Sequence, residues 1–168
     1  MAAASLVSVE EYLATNYKPA CEYIDGVLRQ KSMPTWDHGE IQSCLCQLIN
    51  TGFPQFRAAS EVTVQVRTGK YLVPDLIVQR RDQIQRPYPT EPVHLCVEIL
   101  SPGDRMSDVL AKCEEYDAWG VESTWVIDPD SRQAWEYSHG RRLPEVPASG
   151  SLTAGPISLS LAGIFAGL

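Results

Sequence analysis

The sequence predicts an α/β or α+β domain in which a mixed β-sheet is flanked by helices. Two segments carry apolar residues at helical spacing, several shorter segments alternate or run apolar as strands do, and turn signals separate them. The chain has 168 residues, of which 44% are hydrophobic and 21% charged, as in an ordinary globular domain. We therefore expect a single domain spanning residues 1–168.

A short helix and a ribbon are expected first. Ser8 and Glu11 stand three residues apart, as a hydroxyl and a carboxylate do in a capping box, which predicts a helix from Val9 to about Asn16. Asp25-Gly26 is a strong hairpin-turn signal inside Cys21–Gln30. This second segment is therefore expected to form a two-stranded ribbon.

A second helix and a hairpin are expected next. Asp37 and Glu40 repeat the capping signal, and Gly52 is placed to end the helix. The apolar residues between them fall at helical spacing: Ile41, Cys44, Leu45 and Leu48. Glu61–Val66 alternates as a half-buried strand does, and Tyr71–Val78 is its expected partner.

Pro74 interrupts the second of these strands. Because proline cannot donate to a strand ladder, we expect a bulge or an unpaired position there, directly before Asp75. The polar segment Arg80–Pro92 carries three prolines and is expected to be a loop. Val93–Leu100 is almost continuously apolar around one carboxylate, Glu98, which is typical of a central strand covered on both faces.

The rest of the chain is expected to supply one more helix, a strand pair and a docked tail. Ser107–Trp119 has helical periodicity and is stopped by Gly120. Thr124–Ile127 and Gln133–Tyr137 are expected to pair as a hairpin. After a stretch rich in Gly, Ser and Pro, the apolar segment Ile157–Leu168 is expected to pack on the core.

Composition excludes several classes of protein. The five cysteines are odd in number and irregularly spaced, which argues against a disulfide framework and predicts small core residues or half-buried thiols. No apolar run is long enough to cross a bilayer, and Met1–Val9 has no signal-peptide pattern. The expected location is cytoplasmic, with no membrane partner.

The net charge of −7 argues against a protein that holds nucleic acid over a broad basic face. Any basic surface must be local, and each basic cluster is more typical of solvated surface charge. The candidates are Arg29 with Lys31, Arg80 with Arg81 and Arg86, and Arg141 with Arg142.

Three charged residues stand at positions where burying a charge is energetically unfavourable. They are Asp75 in the proline-interrupted strand, Glu98 in the apolar strand, and Lys112 on the apolar stripe of a helix. Lys112 follows Val109 by three residues and precedes Tyr116 by four, so it shares their inward stripe. Its ammonium must reach outward or find a buried anion. A surface pair with Asp108, a turn-capping Asp75 and a solvent-facing Glu98 are the alternatives.

Two carboxylates that converge in apolar surroundings predict a divalent cation. Burying ionised carboxylates is costly unless they are paired or bind a metal, and magnesium prefers oxygen ligands. Such an ion supports attack of water on a phosphate ester, and a nearby ammonium can stabilise the developing negative charge.

Several motifs resemble those of a known nuclease superfamily. Val73-Pro74-Asp75 followed by Val97–Pro102 resembles the PD-(D/E)xK nucleases. More narrowly, Glu98–Gly120 and Trp125–Pro129 resemble a family described as putative restriction endonucleases, abundant in cyanobacteria, and Glu22–Gly26 resembles its opening ribbon. The resemblance covers about Val9 to Tyr137. It implies a restriction-endonuclease-like fold.

The resemblance also implies a ligand set. Asp75, Glu98 and the main-chain carbonyl of Ile99 correspond to the superfamily's ligands for Mg²⁺ or Mn²⁺. The superfamily's lysine normally stands two residues after the glutamate, where this chain has Leu100. Lys112 on the following helix is implied as its replacement.

Glu22 is implied as a further acidic, catalytic member of the site, as early glutamates are in some related nucleases. Among the histidines, His38 is expected to be a surface residue beside a helix start. His94 is expected to be a satisfied core or edge residue. Trp125, Trp135 and Tyr137 are more typical of core or interface than of a base-stacking platform.

The expected function is a metal-dependent endonuclease that hydrolyses DNA phosphodiester bonds and acts as a homodimer, because cutting a duplex needs two sites. One alternative is a catalytically silent nuclease-fold module that serves binding or assembly in a mobile element or defence system. Another is a metal-dependent hydrolase of a different phosphate substrate. The sequence leaves DNA versus RNA, strand preference and recognition sequence open.

Overall fold

The computed structural model describes residues 6–142 and 144–168. Their helices are α1 (Val9–Ala14), α2 (Trp36–Gly52), α3 (Met106–Trp119) and α4 (Leu161–Ile164). Their strands are β1 (Cys21–Ile24), β2 (Val27–Gln30), β3 (Phe56–Ser60), β4 (Val64–Arg67), β5 (Lys70–Leu72), β6 (Leu76–Arg80), β7 (Leu95–Ile99), β8 (Thr124–Asp128), β9 (Gln133–Ser138), β10 (Arg141–Arg142), β11 (Ser151–Ala154) and β12 (Ile157–Ser160). Residues Met1–Ser5 lie outside the described residues, so the expectation for Met1–Val9 is untested over that part.

The strands form two larger sheets and a small hairpin. One sheet has four strands in the order β2-β1-β5-β4, and the other has six in the order β10-β9-β8-β7-β6-β3. The six-stranded sheet is mixed, because β7 and β8 are parallel while its other pairs are antiparallel. β11 and β12 form the hairpin. The predicted mixed sheet with flanking helices is confirmed.

Helices cover both faces of the six-stranded sheet. On one face α2 packs with the tail, and Ile41, Leu45 and Ile49 are completely buried against strand residues such as Val97. Burying each such side chain contributes about 1.5–3 kcal/mol. On the other face α3 packs through Val109, Cys113 and Tyr116. The apolar tail, which packs beside α2 on the first face, docks on the core as its composition predicts.

Both predicted helix starts exist, but one cap is different. The hydroxyl of Ser8 accepts a hydrogen bond from the amide of Glu11, so the first cap is confirmed. The second prediction was wrong in detail, because Thr35 rather than Asp37 caps α2 by accepting from the amide of His38. Thr35 stands directly before the first helical residue, where its hydroxyl can act as the cap. The carboxylate of Asp37 lies in the first turn, where the helix dipole favours negative charge.

The predicted strand Tyr71–Val78 is two strands in two different sheets. β5 belongs to the four-stranded sheet and β6 to the six-stranded sheet, and the chain crosses between them at residues 73–75. The interruption expected at Pro74 is therefore a complete break. Strand β3 and the hairpin of β11 and β12 were not predicted from the sequence.

All five cysteines are free thiols, with Cys96 and Cys113 buried and the others half-buried, as predicted. Among the described residues, none of the helices combines the length and the apolar character that a bilayer span requires.

Candidate active site

Asp75 lies where the chain passes from one sheet to the other. β6 and β7 are antiparallel, and Leu76 of β6 pairs with Val97 of β7. Asp75 directly precedes Leu76, so it lies beside Glu98, which directly follows Val97. Glu98 has the parity of Cys96, which packs on the α3 side. The carboxylate of Asp75 instead contacts the amide of Ile99 and the side chain of His38 on α2. Asp75 is buried although it belongs to no strand.

Both carboxylate oxygens of Asp75 are engaged. Oδ2 accepts a 2.7 Å hydrogen bond from the amide of Ile99 and lies 3.3 Å from Nε2 of His38. Oδ1 lies 2.7 Å from the ammonium of Lys31, which follows β2. Gln42 on α2 donates to the main-chain carbonyl of Asp75 at 2.6 Å. Four residues from three separate segments therefore fix this one residue.

Glu98 lies on β7 and faces α3. The ammonium of Lys112 is 2.8 Å from each of its two carboxylate oxygens. The hydroxyl of Tyr116, one helical turn further on, donates a 2.6 Å hydrogen bond to Oε1. Lys112 therefore points inward, as its position on the apolar stripe predicts, and the alternative surface pair with Asp108 is not formed.

Glu22 joins the same group from the other sheet. It lies on β1, is 3% exposed, and its Oε1 is 2.9 Å from the ammonium of Lys112. The same oxygen accepts a 3.1 Å hydrogen bond from the amide of Val73. Lys112 consequently bridges a carboxylate of the four-stranded sheet to Glu98 of the six-stranded sheet.

Burial and charge act in opposite directions on these groups. Burial tends to raise the pKa of Asp75, but the hydrogen bond with His38 and the charge of Lys31 outweigh it, so that pKa is lowered. Burial raises the pKa of Glu98 to about 7, although the charge of Lys112 opposes the shift. Burial tends to lower the pKa of Lys112, but Glu98 and Glu22 together raise it. The two carboxylates therefore favour the charged form of Lys112.

A cavity of about 530 Å³ opens onto this group. It is lined by the three carboxylate residues and Lys112, and also by the basic residues Arg29, Lys31 and Arg105. The carboxylates are thus reachable from outside the fold although they are almost fully buried. A cavity of this volume lies within the range that binds small ligands.

A family model described as "Uma2: Putative restriction endonuclease" matches residues 9–162. The chain belongs to this family. A solved structure of a putative nuclease belonging to DUF820 from Anabaena variabilis is 24% identical in sequence, with a TM-score of 0.80, and the match covers 95% of this chain and 98% of that chain. The restriction-endonuclease-like fold of this Uma2-family chain is therefore shown.

Other comparisons add nothing to the assignment. A cryo-electron-microscopy structure of a DrdV–DNA complex is 16% identical with a TM-score of 0.41, over 66% of this chain and 12% of that one, a similarity too low to bear on function. A search of curated proteins found no match.

The donor chemistry of the Uma2-family site fits a hard divalent cation. Glu22, Asp75 and Glu98 offer only oxygen atoms, which magnesium and manganese accept. Within residues 6–142 and 144–168, however, no three acidic, histidine or cysteine side chains are arranged as a ready metal centre. The ammonium groups of Lys31 and Lys112 lie at the carboxylate oxygens instead.

Sequence reasoning missed three members of this group. Lys31 was interpreted as part of a solvated basic pair, but it is half-buried and pairs with Asp75. The surface assignment of His38 was wrong, because its side chain is 4% exposed and its Nδ1 has no hydrogen-bond partner among the described residues. Tyr116 was predicted as an apolar core residue, and its hydroxyl proves to bond Glu98. The sequence held a signal for the inward position of His38, which stands three residues before Ile41 and seven before Leu45 on the apolar stripe of α2.

Proposed function

We propose that this Uma2-family protein is an endonuclease that hydrolyses DNA phosphodiester bonds and depends on Mg²⁺ or Mn²⁺. The ligands would be the carboxylates of Asp75 and Glu98 and the main-chain carbonyl of Ile99. The observation that carries the proposal is the convergence of these two buried carboxylates with Glu22 and Lys112 on one accessible cavity. Family membership supports the same activity.

Charge balance favours a divalent cation at this place. Glu22, Asp75, Glu98 and the neighbouring Glu61 carry four negative charges when ionised, against two positive charges on Lys31 and Lys112, which leaves a net charge of −2. When bound, the ion would lower the pKa of a coordinated water and offset the charge of the phosphate.

The chain's own residues would perform two tasks. Lys112 holds Glu22 and Glu98 in position, and its positive charge at the cavity would offset the negative charge that develops on the phosphate. Glu22 keeps the Lys112 ammonium on the cavity side by pairing with it, while the Val73 amide fixes Glu22. This pairing is the catalytic contribution we assign to Glu22.

The Asp75 carboxylate would be oriented by its neighbours. The Ile99 amide and His38 both engage Oδ2, which fixes the plane of the carboxylate and directs Oδ1 towards the cavity side where Lys31 lies. A fixed ligand loses little conformational entropy when it binds, so this second layer of contacts should strengthen cation binding.

A cleavage assay tests the proposal. Purified protein is incubated with single- and double-stranded DNA and RNA in the presence of magnesium, manganese or a chelator. An Asp75→Ala variant is the test, and Asp82→Ala is the matched control. The side chain of Asp82 is 67% exposed, and within the part of the chain that the structure describes its only ion pair is with Arg80 at the surface. Metal-dependent cleavage that Asp75→Ala abolishes and Asp82→Ala retains is the expected result.

Other outcomes of this assay favour other functions. Binding of DNA without cleavage under any metal would instead support a catalytically silent binding or assembly module. Turnover of small phosphate esters alone would support a hydrolase of another substrate. Cleavage that persists in chelator would contradict the metal dependence.

We also propose a homodimer, a cytoplasmic location and a single folding unit over the chain. The dimer follows from the chemistry, because cutting both strands of a duplex needs two sites. A sedimentation measurement that gives the mass of one chain at working concentration, with and without DNA, would contradict the dimer.

A further inference from the structure

Lys31 supplies a second ammonium at the candidate site, separate from that of Lys112, and is half-buried. It directly follows β2, and its side chain is 15% exposed. Its Nζ lies 2.7 Å from Oδ1 of Asp75 and 3.0 Å from Oε2 of Glu61. A bridge between one buried and one half-exposed carboxylate is an unusual place for a lysine on a surface ribbon.

The oxygen that Lys31 contacts is the one that a cation would need. The other oxygen of Asp75 already accepts the Ile99 amide and faces His38. The partner of Oδ1 is Lys31, whose long flexible side chain can move away. The Ile99 amide at Oδ2 is fixed in β7 and cannot. An ammonium and a metal ion therefore compete for the same lone pairs.

Glu61 offers Lys31 a second position. Its side chain is 42% exposed, and Gln42 donates to its other oxygen at 3.0 Å, which holds the carboxylate at the rim of the cavity. An ammonium that leaves Asp75 keeps its pairing with Glu61 and moves towards water. This lowers the cost of displacing Lys31, because no charge is left buried and unpaired.

We propose that Lys31 is a displaceable counter-ion, which neutralises Asp75 while the site lacks a divalent cation and moves to Glu61 when the cation binds. This inference rests on the proposed metal-dependent function. It assigns Lys31 a positioning role: Lys31 occupies Oδ1 of Asp75 while no metal is bound and sets how much cation is needed to fill the site.

The test measures binding of Mn²⁺ alone by calorimetry, with the full chain and without DNA. Replacing Lys31→Met removes the competitor and a like charge, so the affinity for Mn²⁺ rises by about tenfold. Arg29→Gln is the charge-matched control, because Arg29 lies two residues earlier on the same ribbon and lines the same cavity. Arg29 makes no ion pair with Asp75 among the described residues. The affinity of the Arg29→Gln variant for Mn²⁺ therefore stays within about twofold of the parent value.

A second variant protects the test against misfolding. Lys31→Gln can still donate a hydrogen bond to Asp75 without carrying charge, and it shows the same direction of change. Glu61→Gln weakens Mn²⁺ binding in the parent protein by removing the second position of Lys31. It has a smaller effect in the Lys31→Met background, because the displaced group is then missing.

The outcomes separate this inference from the proposed function. Unchanged or weaker Mn²⁺ binding in both Lys31 variants, with binding by the parent chain intact, overturns the counter-ion role and leaves the metal-dependent nuclease standing. No Mn²⁺ binding by the parent and by either variant overturns the metal site itself. Binding that appears only when Lys31 is replaced supports the counter-ion role in its strongest form.

Discussion

The hydroxyl of Tyr116 donates a 2.6 Å hydrogen bond to Oε1 of Glu98, and both side chains are almost completely buried. The bond approaches the carboxylate from α3, the same helix that supplies Lys112. Two residues one helical turn apart thus hold one strand carboxylate. The orientation of Glu98 is set by a helix rather than by its own strand.

Removing that hydroxyl should cost stability without changing the packing. Tyr116→Phe keeps the ring but leaves Glu98 with one fewer donor, and a lost hydrogen bond to a buried charged group costs about 1–3 kcal/mol of unfolding free energy. Urea unfolding followed by circular dichroism measures this. Tyr17→Phe, at a half-buried tyrosine outside the site, should change stability by less than about 0.5 kcal/mol. Equal losses in the two variants would argue against a special role for the Tyr116–Glu98 bond.

Lys112 and Glu98 should be strongly coupled. Lys112→Met leaves Glu22 and Glu98 without their cation, and breaking a buried ion pair from one side costs about 3–5 kcal/mol. Adding Glu98→Gln to Lys112→Met should recover part of the loss, because one uncompensated charge disappears. A double-mutant cycle measured by denaturant unfolding gives the coupling energy, with exposed Lys18→Met as the control. Strictly additive losses would contradict the buried pairing.

A divalent cation should stabilise the folded chain. A ligand that binds only the folded state adds RT ln(1 + [L]/Kd) to the unfolding free energy, about 2.7 kcal/mol at a concentration of 100 times Kd. Mn²⁺ should therefore raise Tm of the parent protein, a chelator should reverse the rise, and Asp75→Asn should abolish it. A Tm increase of the same size in Asp75→Asn would locate the cation elsewhere.

Alkaline pH should weaken the N-terminal packing through Tyr12. Burial raises the pKa of Tyr12 to about 12 from an ordinary value of 10.0, and its hydroxyl donates to the carbonyl of Cys21. The unfolded chain releases this proton first, so the stabilising contribution is complete below pH 10 and is lost as the pH rises from 10 towards 12. Stability measured across that window should fall less steeply in Tyr12→Phe than in the parent. Identical slopes would show that other groups account for the decline.

The sequence foretold the parts of the fold that depend on local pattern. Helix α3 follows from its periodicity and the buried strand β7 from its almost continuous apolar run. The inward direction of Lys112 follows from its spacing to Val109 and Tyr116. These properties belong to single elements, so neighbouring residues suffice to predict them. Their metal-binding and catalytic assignments stay predictions.

Relations between elements could not be read in the same way. Strand β3 has the weakly patterned sequence Phe56–Ser60, and its pairing with β6 is decided by a partner 20 residues away. The split of the predicted strand at Pro74 depends on which sheet each half joins, which is a tertiary choice.

The same limit explains the missed site residues. Lys31 reaches Asp75 across 44 positions of sequence, a contact that no local pattern predicts. His38 is different, because it stands three residues before Ile41 and seven before Leu45 on the buried stripe of α2, so helical periodicity could have placed it inward. Its contact with Asp75 depends on how α2 packs on the sheet, which is a relation between elements.

The crossing of the chain at residues 73–75 gives the Glu22–Lys112–Glu98 bridge a mechanical meaning. The chain also passes between the two sheets through α2, which lies between β2 and β3, and through the loop between β3 and β4. Lys112 adds a side-chain connection, because it pairs with Glu22 of one sheet and Glu98 of the other. Any event that parts one sheet from the other must therefore dismantle the acidic cluster. The arrangement of the candidate site and the packing of one sheet against the other are therefore expected to be lost together.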